Sequence, residues 1–266
     1  MIAKDIFLKF MSGLTEVNAR LFTSVLDIVS KIPTDKDGNI VNNRKTRALL
    51  DMIKEEVQKV LNESGFFVLT DELFESFDTL IEGVQDIHKE INGISVPRSL
   101  LTPQKRLFTE QLKARLLDAG IRSEFSLPLE QALFSYVRNN ARIIDLERNI
   151  RATVQDNLKR WAGEAARDAV YGYQGAMHDT VKAEYDLNGF IYVGTIRENT
   201  RAQCKKWLNK AEKDAYWAKE IKWAKKGGTY NKQRARGFMP NTTLDNFSQN
   251  RGGFNCLHEA IPTNIN

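Results

Sequence analysis

Apolar residues recur every three or four positions along the first two-thirds of this chain, and that spacing restricts most of it to amphipathic helices. The first stripe ends before Pro33, the second before Gly65 and the third before Gly93. The stripes comprise, in order, Phe7, Phe10, Leu14, Val17, Leu21, Val25 and Ile28; Leu49, Ile53, Val57 and Val60; Leu73, Phe77, Leu80, Val84, Ile87 and Ile91. The sequence therefore predicts three helices before residue 93.

Further helices are predicted downstream. Thr102 with Pro103 is typical of a helix start, Gly120 of a helix end, and Ser126 with Pro128 of a new start. One helix, longer than the others, is then expected over residues 129–185. Its stripe comprises Leu133, Val137, Ile144, Ile150, Val154, Leu158, Trp161, Ala165 and Ala169. Two glycines in it, at 172 and 175, would permit a bend or a close helix crossing.

The pattern changes after Gly189. Phe190 to Val193 is a short β-prone run, Asn199 or Thr200 is a candidate cap for a short helix, and another helix is expected over residues 213–225. The predicted fold class is mainly α, with a long-helix N-terminal body and a small α+β C-terminal module. We expect a helical region over residues 1–125, a long linking helix over 126–189 and the module over 190–266.

The module is basic. Residues 196–266 hold 14 Lys and Arg against 6 Asp and Glu, whereas the whole chain carries only +5. Aromatic residues are interleaved with these charges, an arrangement found in nucleic-acid surfaces but also in solvated helices whose tryptophans face their own core. If DNA is bound, it would be duplex and bound without sequence preference, and the candidate residues are Lys222, Lys225, Lys226, Arg234 and Arg236.

No apolar run approaches the roughly 18–20 residues that span a bilayer, so no membrane partner is expected. The first residues mix charges into their apolar positions and do not resemble a signal peptide, which favours folding in a cytoplasm. Two cysteines are too few for a disulfide framework. His88 and His178 have no partner at metal-ligand spacing, and both are interpreted as ordinary helix residues.

Cys204, Cys256 and His258 are the candidate chemical groups, and three interpretations compete. They could hold zinc, although a closed structural site needs a fourth ligand and Cys204 lacks a CxxC partner. They could form a Cys–His nucleophilic pair, although no nucleophile elbow accompanies them. The favoured hypothesis is a structural pair of cysteines, close together, that holds the C-terminal loop on the module. No cofactor and no catalytic residue is therefore expected, with zinc as the alternative.

The order of motifs in the module resembles the C-terminal domain of the phage Mu F-like head morphogenesis family. The residues that carry the resemblance are Tyr192, Gly194, Thr200, Arg201, Cys204, Gly252, Gly253, Asn255, Cys256, His258 and Pro262. It covers roughly residues 140–264, and many members of that family have more cysteines at the two Cys positions. Arg201 would contact a carboxylate, backbone carbonyls or phosphate.

This resemblance implies a structural minor head protein of a tailed phage. Such a protein would be associated with the portal, would act in head morphogenesis and in DNA packaging or delivery, and would not be an enzyme. Its partners would be portal and capsid or scaffold proteins; it would be assembled in the host cytoplasm and reside in the virion, inside the head. The alternatives are a hydrolase (peptidase or nuclease) that uses Cys204 and His258, and a stand-alone nucleic-acid-binding protein.

Overall fold

A computed structural model describes residues 2–117, 119–152, 158–253 and 256–266 of the chain. Its helices are α1 (Ile2–Val29), α2 (Arg44–Glu63), α3 (Phe66–Asn92), α4 (Arg98–Leu116), α5 (Ala119–Ile121), a π-helix (Arg122–Ser126), α6 (Leu127–Arg138), α7 (Ile143–Arg151), α8 (Leu158–Glu184), α9 (Ala202–Trp207), α10 (Asp214–Lys225) and α11 (Phe247–Asn250). Its strands are β1 (Gly189–Val193), β2 (Ala211–Lys213), β3 (Thr229–Tyr230), β4 (Gln233–Arg234) and β5 (Glu259–Thr263). The fold is thus mainly α with a small α+β region near the C-terminus, as predicted.

The first three helices follow the predicted stripes. In α2 the side chain of Asn43 accepts the N–H of Thr46, which satisfies one of the free donors at the helix start. The helix α3 ends before Gly93, whose φ of +67° suits glycine. The buried face of α3 turns away from the predicted one near its end, because Ile91 is 41% exposed while His88 is fully buried.

The start predicted at Thr102 and Pro103 is wrong. The helix α4 begins at Arg98, directly after Pro97, whose carbonyl accepts the N–H of Leu100. The hydroxyl of Thr102 donates to the carbonyl of Arg98, 2.9 Å away, and so bonds back to the preceding turn instead of capping a helix. Gly120 lies within α5 rather than at the end of α4, whereas the start predicted at Ser126 and Pro128 coincides with the start of α6.

The single long helix predicted over residues 129–185 is also wrong. The described part of that range forms α6, α7 and α8, and a turn separates α6 from α7. Asn140 in this turn has a φ of +46°, and Ala141 accepts the N–H of Ile40. Val137 and Ile144 are seven residues apart, which is still a helical spacing, so the stripe carried no signal of this turn; Ile144 is 49% exposed. Val154 lies outside the described residues.

The chain divides into two compact units. Unit 1 comprises Met1–Asp5, Ser76–Thr109 and Arg167–Asn266, and unit 2 comprises Ile6–Glu75 and Glu110–Ala166. The divisions therefore do not fall at the predicted positions 125/126 and 189/190. In the part of unit 2 that the structure describes, the regular elements are helices, with isolated bridges at Thr34–Ile40 and Asn39–Arg142. No helix within the described ranges is both long and apolar enough to cross a bilayer.

The strands of unit 1 form two antiparallel sheets. In the larger sheet β1 is central, flanked by β2 and β5, and β3 pairs with β4 in a hairpin. The β1–β5 register places Tyr192 opposite Ala260 and Val193 opposite Glu259. Because every residue of β5 is buried, this pairing brings the end of the chain into the centre of the unit. Only β1 was predicted. The strands β2, β3 and β4 are too short to show a period of two, and β5 is buried at every residue, so its sequence does not alternate.

Candidate functional site

A thiol and imidazole cluster lies in the core of unit 1, where three distant segments meet. Cys204 comes from α9, and Cys256 and His258 come from the segment that leads into β5. All three are nearly inaccessible to solvent, at 1%, 3% and 6% of their surface. The side chain of Tyr192 on β1 stacks on the His258 ring, with centroids 5.6 Å apart. We call Cys204, Cys256 and His258 the cluster from here on.

The cluster atoms lie within contact distance of one another. The two sulfur atoms are 3.9 Å apart, and Cys256 Sγ is 3.5 Å from His258 Nδ1. The hydroxyl of Tyr192 lies 3.4 Å from each sulfur. The two cysteines are not bonded to each other, and the structure places their sulfur atoms close together, as the sequence predicted. The pairing joins residues 52 positions apart and holds the C-terminal segment on α9.

Two glycines make room for this packing. A Cβ at Gly252 would lie 2.7 Å from the Tyr192 hydroxyl and 3.0 Å from Cys256 Sγ, and closer still to Cys204 Sγ. A Cβ at Gly194 would lie 2.5 Å from the His258 ring, and the φ of Gly194 is +152°. Any side chain at these positions would push apart the groups that form the cluster.

The carbonyl of Gly252 accepts hydrogen bonds from two side chains at the start of α9. Arg201 Nη1 and Gln203 Nε2 each donate to it over 3.2 Å, and Gln203 also donates to the carbonyl of Arg236 over 2.9 Å. Of the three contacts expected for Arg201, the structure shows one to a backbone carbonyl. Gln203, which is fully buried, was missed by the sequence analysis, because a lone glutamine on a short helix carries no pattern.

Residues of α8 form hydrogen bonds with the segment before Gly252. Asp179 accepts the N–H groups of Ser248 and Gln249 at 2.9 and 3.0 Å, and Arg251 donates to the carbonyl of Tyr171 at 2.7 Å. Burial raises the pKa of Asp179 to about 7, although these hydrogen bonds lower it. The close helix crossing predicted at Gly175 is found here, since a Cβ on it would lie 2.5 Å from the Ser248 carbonyl.

The two thiols differ in acidity. The hydrogen bond between them raises the pKa of Cys204 and lowers that of Cys256. Burial raises the pKa of Cys204 further, and the contact with His258 lowers that of Cys256.

The donor set suits a zinc ion. Cys204 Sγ, Cys256 Sγ and a ring nitrogen of His258 all lie within 4.8 Å of one another. Tetrahedral zinc with sulfur at about 2.3 Å and nitrogen at about 2.0 Å would separate two sulfurs by about 3.8 Å and a sulfur from a nitrogen by about 3.6 Å. The observed 3.9 and 3.5 Å match two of the three edges, and the third, between Cys204 and His258, is no longer than 4.8 Å. When bound, zinc would join α9 to the segment before β5 and ionise both thiols.

A nucleophilic pair is less well supported. Cys256, not Cys204, is the cysteine whose sulfur contacts the imidazole. A catalytic imidazole is usually oriented by a third group on its other nitrogen. Nε2 of His258 has no hydrogen-bond partner among the described residues, and the Cys256 sulfur is buried. The geometry is therefore that of a structural or metal-binding cluster.

Of the remaining residues of the family resemblance, the structure describes Thr200, Gly253 and Pro262. Thr200 accepts the N–H of Arg197 at 2.7 Å, and the carbonyl of Pro262 accepts Asn92 Nδ2 at 3.0 Å. Gly253 has a φ of +106°, a conformation that suits glycine. Asn255 lies outside the described residues.

The five candidate DNA-binding residues are all exposed, on α10 and around the β3–β4 hairpin: Lys222, Lys225, Lys226, Arg234 and Arg236. Of the aromatic residues interleaved with them, Trp207 and Trp217 are fully buried and Tyr230 is 5% exposed. Trp223, at 50%, is the tryptophan of this group that solvent reaches. Most of these aromatic side chains therefore lie in the hydrophobic core of unit 1 and do not face solvent.

A buried histidine pair in unit 1 was missed. His88 Nε2 lies 2.9 Å from His178 Nδ1, and Asn92 Nδ2 lies 2.9 Å from the other nitrogen of His88 and also donates to the carbonyl of Pro262. Both rings are almost fully buried. His88 follows Val84 by four residues and so continues the apolar stripe, which was a local signal for burial. Its partner, 90 residues away, had none.

We expect this pair to make the protein less stable as the pH falls from about 6.5 towards 4. Burial lowers the pKa of His88 to about 4, and burial with the neighbouring His88 lowers that of His178. Both rings are therefore neutral in the folded state over a range where the unfolded chain takes up protons. A shift of this size at His88 corresponds to a loss of about 3 kcal/mol. Urea denaturation across this pH range measures it.

The matched control is the double variant His88→Leu, His178→Leu. Asp179 titrates in the same range with the opposite sign, because its raised pKa stabilises the folded state as the pH falls. The variant retains Asp179, so the difference between the two pH profiles isolates the histidines. Profiles that run parallel from pH 6.5 to 4 would contradict the prediction.

No protein-family model, no curated protein and no solved structure matches this chain.

Proposed function

We propose that this chain is a structural minor head protein of a tailed phage, associated with the portal inside the head and acting in head morphogenesis and DNA packaging or delivery. The observation that carries the proposal is the cluster with its surroundings. Tyr192, Gly194, Arg201, Gly252 and the cluster residues contact one another in the core of unit 1. The motifs on which the family resemblance rests therefore describe one constellation instead of scattered coincidences.

The buried character of this constellation supports a structural role. Several of its polar groups bond to each other or to backbone carbonyls, as Arg201 does to the carbonyl of Gly252. The long helices would supply surfaces for portal, capsid or scaffold proteins.

The test is to look for the chain in purified particles of a phage that encodes it. Mass spectrometry should detect it in DNA-filled heads, in few copies relative to the major capsid protein. Deleting its gene should leave heads that lack DNA or fail to deliver it. Absence of the chain from purified particles, with normal infectivity after deletion, would reject the proposal.

We expect the contact between Cys204 and Cys256 to hold the C-terminal segment against α9. The double variant Cys204→Ser, Cys256→Ser should be less stable by about 1–3 kcal/mol, because two buried hydroxyls replace two thiols. Limited proteolysis should then cut residues 237–253 faster. If zinc is the fastener, elemental analysis of the parent protein should find about one equivalent per chain, and either single variant should lose it.

The control for this prediction is His178→Gln, which perturbs a buried histidine of the same unit outside the cluster. It should retain the metal and the slow cleavage of residues 237–253. Cleavage that is as slow in the double cysteine variant as in the parent protein would show that the thiols do not hold the C-terminal segment in place.

The exposed basic residues support a second proposal, that unit 1 contacts duplex DNA through phosphates. The triple variant Lys222→Gln, Lys225→Gln, Lys226→Gln should weaken binding to all sequences alike. It should also reduce the slope of log affinity against log salt by up to about 2.7, or about 0.9 per phosphate contact. Fluorescence anisotropy with unrelated duplexes at several salt concentrations measures both effects.

A second triple variant, Lys36→Gln, Lys45→Gln, Lys89→Gln, removes the same charge from exposed positions elsewhere. Equal slopes for the two variants would show that net charge alone is responsible and that α10 forms no DNA surface.

The hydrolase alternative rests on the contact between Cys256 and His258. It requires a thiol that reagents and substrates can reach. Loss of a measurable hydrolytic activity in Cys256→Ser, with the fold intact, would favour it over the structural role.

A further inference from the structure

A cavity of about 320 Å³ opens directly onto the cluster. Three cationic side chains line it, and its other polar walls are a loop rich in hydroxyl and amide groups: Lys4, Arg197, Arg201, Thr195, Asn199 and Thr200. All of these residues belong to unit 1. The volume falls at the small end of ligand pockets, which run from about 300 to 1,000 Å³.

The charge of this cavity is one-sided. Among the residues that the structure describes, its lining contains Lys4, Arg197 and Arg201 but no carboxylate. Cations that converge on a concave surface are less screened than on a flat one, so their field concentrates anions there. An anion in this cavity would offset repulsion among the three cations.

The geometry of the donors favours an oxyanion. A guanidinium group presents its N–H donors in a planar fork that matches phosphate or carboxylate oxygens, and two of the three cations are arginines. The hydroxyl of Thr195 and the amide of Asn199 add further donors. A tetrahedral ion with several oxygens could use donors on more than one wall at once.

The cavity walls are held in place before any ligand enters. Arg201 donates to the carbonyl of Gly252 over 3.2 Å and so has a fixed position beside the cluster. The loop at 197–200 is closed by two hydrogen bonds: the N–H of Arg197 donates to the Thr200 hydroxyl at 2.7 Å, and the N–H of Thr200 donates to the Arg197 carbonyl at 3.0 Å. Pre-organised donors lower the entropic cost of binding.

We propose that this cavity binds a phosphate-type oxyanion, either free phosphate or a phosphate group of nucleic acid. Lys4, Arg197 and Arg201 supply the positive charge of its lining. The proposal does not depend on the phage-head function, because it concerns only the donors of the cavity.

The test is titration of the full chain with inorganic phosphate in a calorimeter, at an ionic strength held constant with chloride. One phosphate should bind per chain. Arg197→Gln and Lys4→Gln should each weaken the affinity by about three- to tenfold, because each removes one charge-assisted contact. Arg197→Lys keeps the charge without the fork and should weaken it less than Arg197→Gln.

The control variant is Lys36→Gln, an exposed lysine of unit 2 that loses the same charge. It should bind phosphate as the parent protein does, and circular dichroism should show all four variants folded. Absence of saturable binding up to on the order of 10 mM phosphate would overturn the proposal, and so would equal weakening in Lys36→Gln.

A competition arm identifies the source of the phosphate group. If a short duplex DNA displaces inorganic phosphate from the parent protein, the cavity binds the phosphate backbone of nucleic acid. If the duplex leaves phosphate binding unchanged, the ligand is a free phosphate.

Discussion

We expect Trp217→Ala to lower the free energy of unfolding by about 3–5 kcal/mol. The side chain is fully buried in the core of unit 1, and its indole N–H donates to the carbonyls of Phe190 and Glu212 at 3.0 and 2.9 Å. The substitution removes a large ring that packs on Tyr192 and Phe247, and it leaves two strand carbonyls without that donor. Urea denaturation followed by circular dichroism measures the loss.

The matched control is Trp223→Ala, six residues further along the same helix. Its ring is 50% exposed, so the change should cost less than about 1 kcal/mol. Trp217→Phe keeps most of the ring but not the N–H donor and should fall between the two. Similar losses for Trp217→Ala and Trp223→Ala would show that α10 does not pack as described.

We expect Gly252→Ala to disrupt the cluster and to cost about 1–3 kcal/mol through overpacking. The new methyl group would overlap Cys204 Sγ and the Tyr192 hydroxyl and would press on Cys256 Sγ. The φ of Gly252 is not positive, so the cost is one of contact and not of backbone conformation. The two thiols, buried in the parent protein, should then react faster with a thiol reagent.

Gly227→Ala is the comparison for this prediction. Gly227 has a φ of +68° and nothing within 4 Å of an added Cβ, so only backbone strain is introduced. It should lower stability by about 1–2 kcal/mol without exposing either thiol. Thiol reactivity in Gly252→Ala that stays at the parental rate would mean that Gly252 does not limit the approach of the sulfurs.

Local sequence patterns determined the class of the fold and much of its helical layout. The apolar spacing in α1, α2 and α3 is regular over about three or more turns, and a proline or glycine follows each stripe. Such signals depend on neighbours within a few positions, and the chain alone carries them. The strand β1 was visible for the same reason, since glycines bound its apolar run on both sides.

The proximity of the two cysteines was also predictable, because a long glycine-rich loop with little core of its own needs a fixed end. Which of the two cysteines contacts the imidazole of His258 was not predictable. The sequence analysis paired His258 with Cys204 for catalysis, whereas the β1–β5 register and the turn at Gly252 bring Cys256 to the ring. Spacing along the chain does not specify which of two nearby thiols faces a third group.

Contacts between distant residues decided the rest. The helix predicted over 129–185 breaks at Asn140 because the turn pairs with the loop around Ile40, about 100 residues earlier. His88 and His178 became a buried pair only when α3 and α8 met. The sequence by itself determined the mainly helical class and the positions of the first three helices. Only the tertiary structure determined where the long helix breaks, which polar groups are buried, and that a basic cavity opens on the cluster, because each depends on which segments pack against one another.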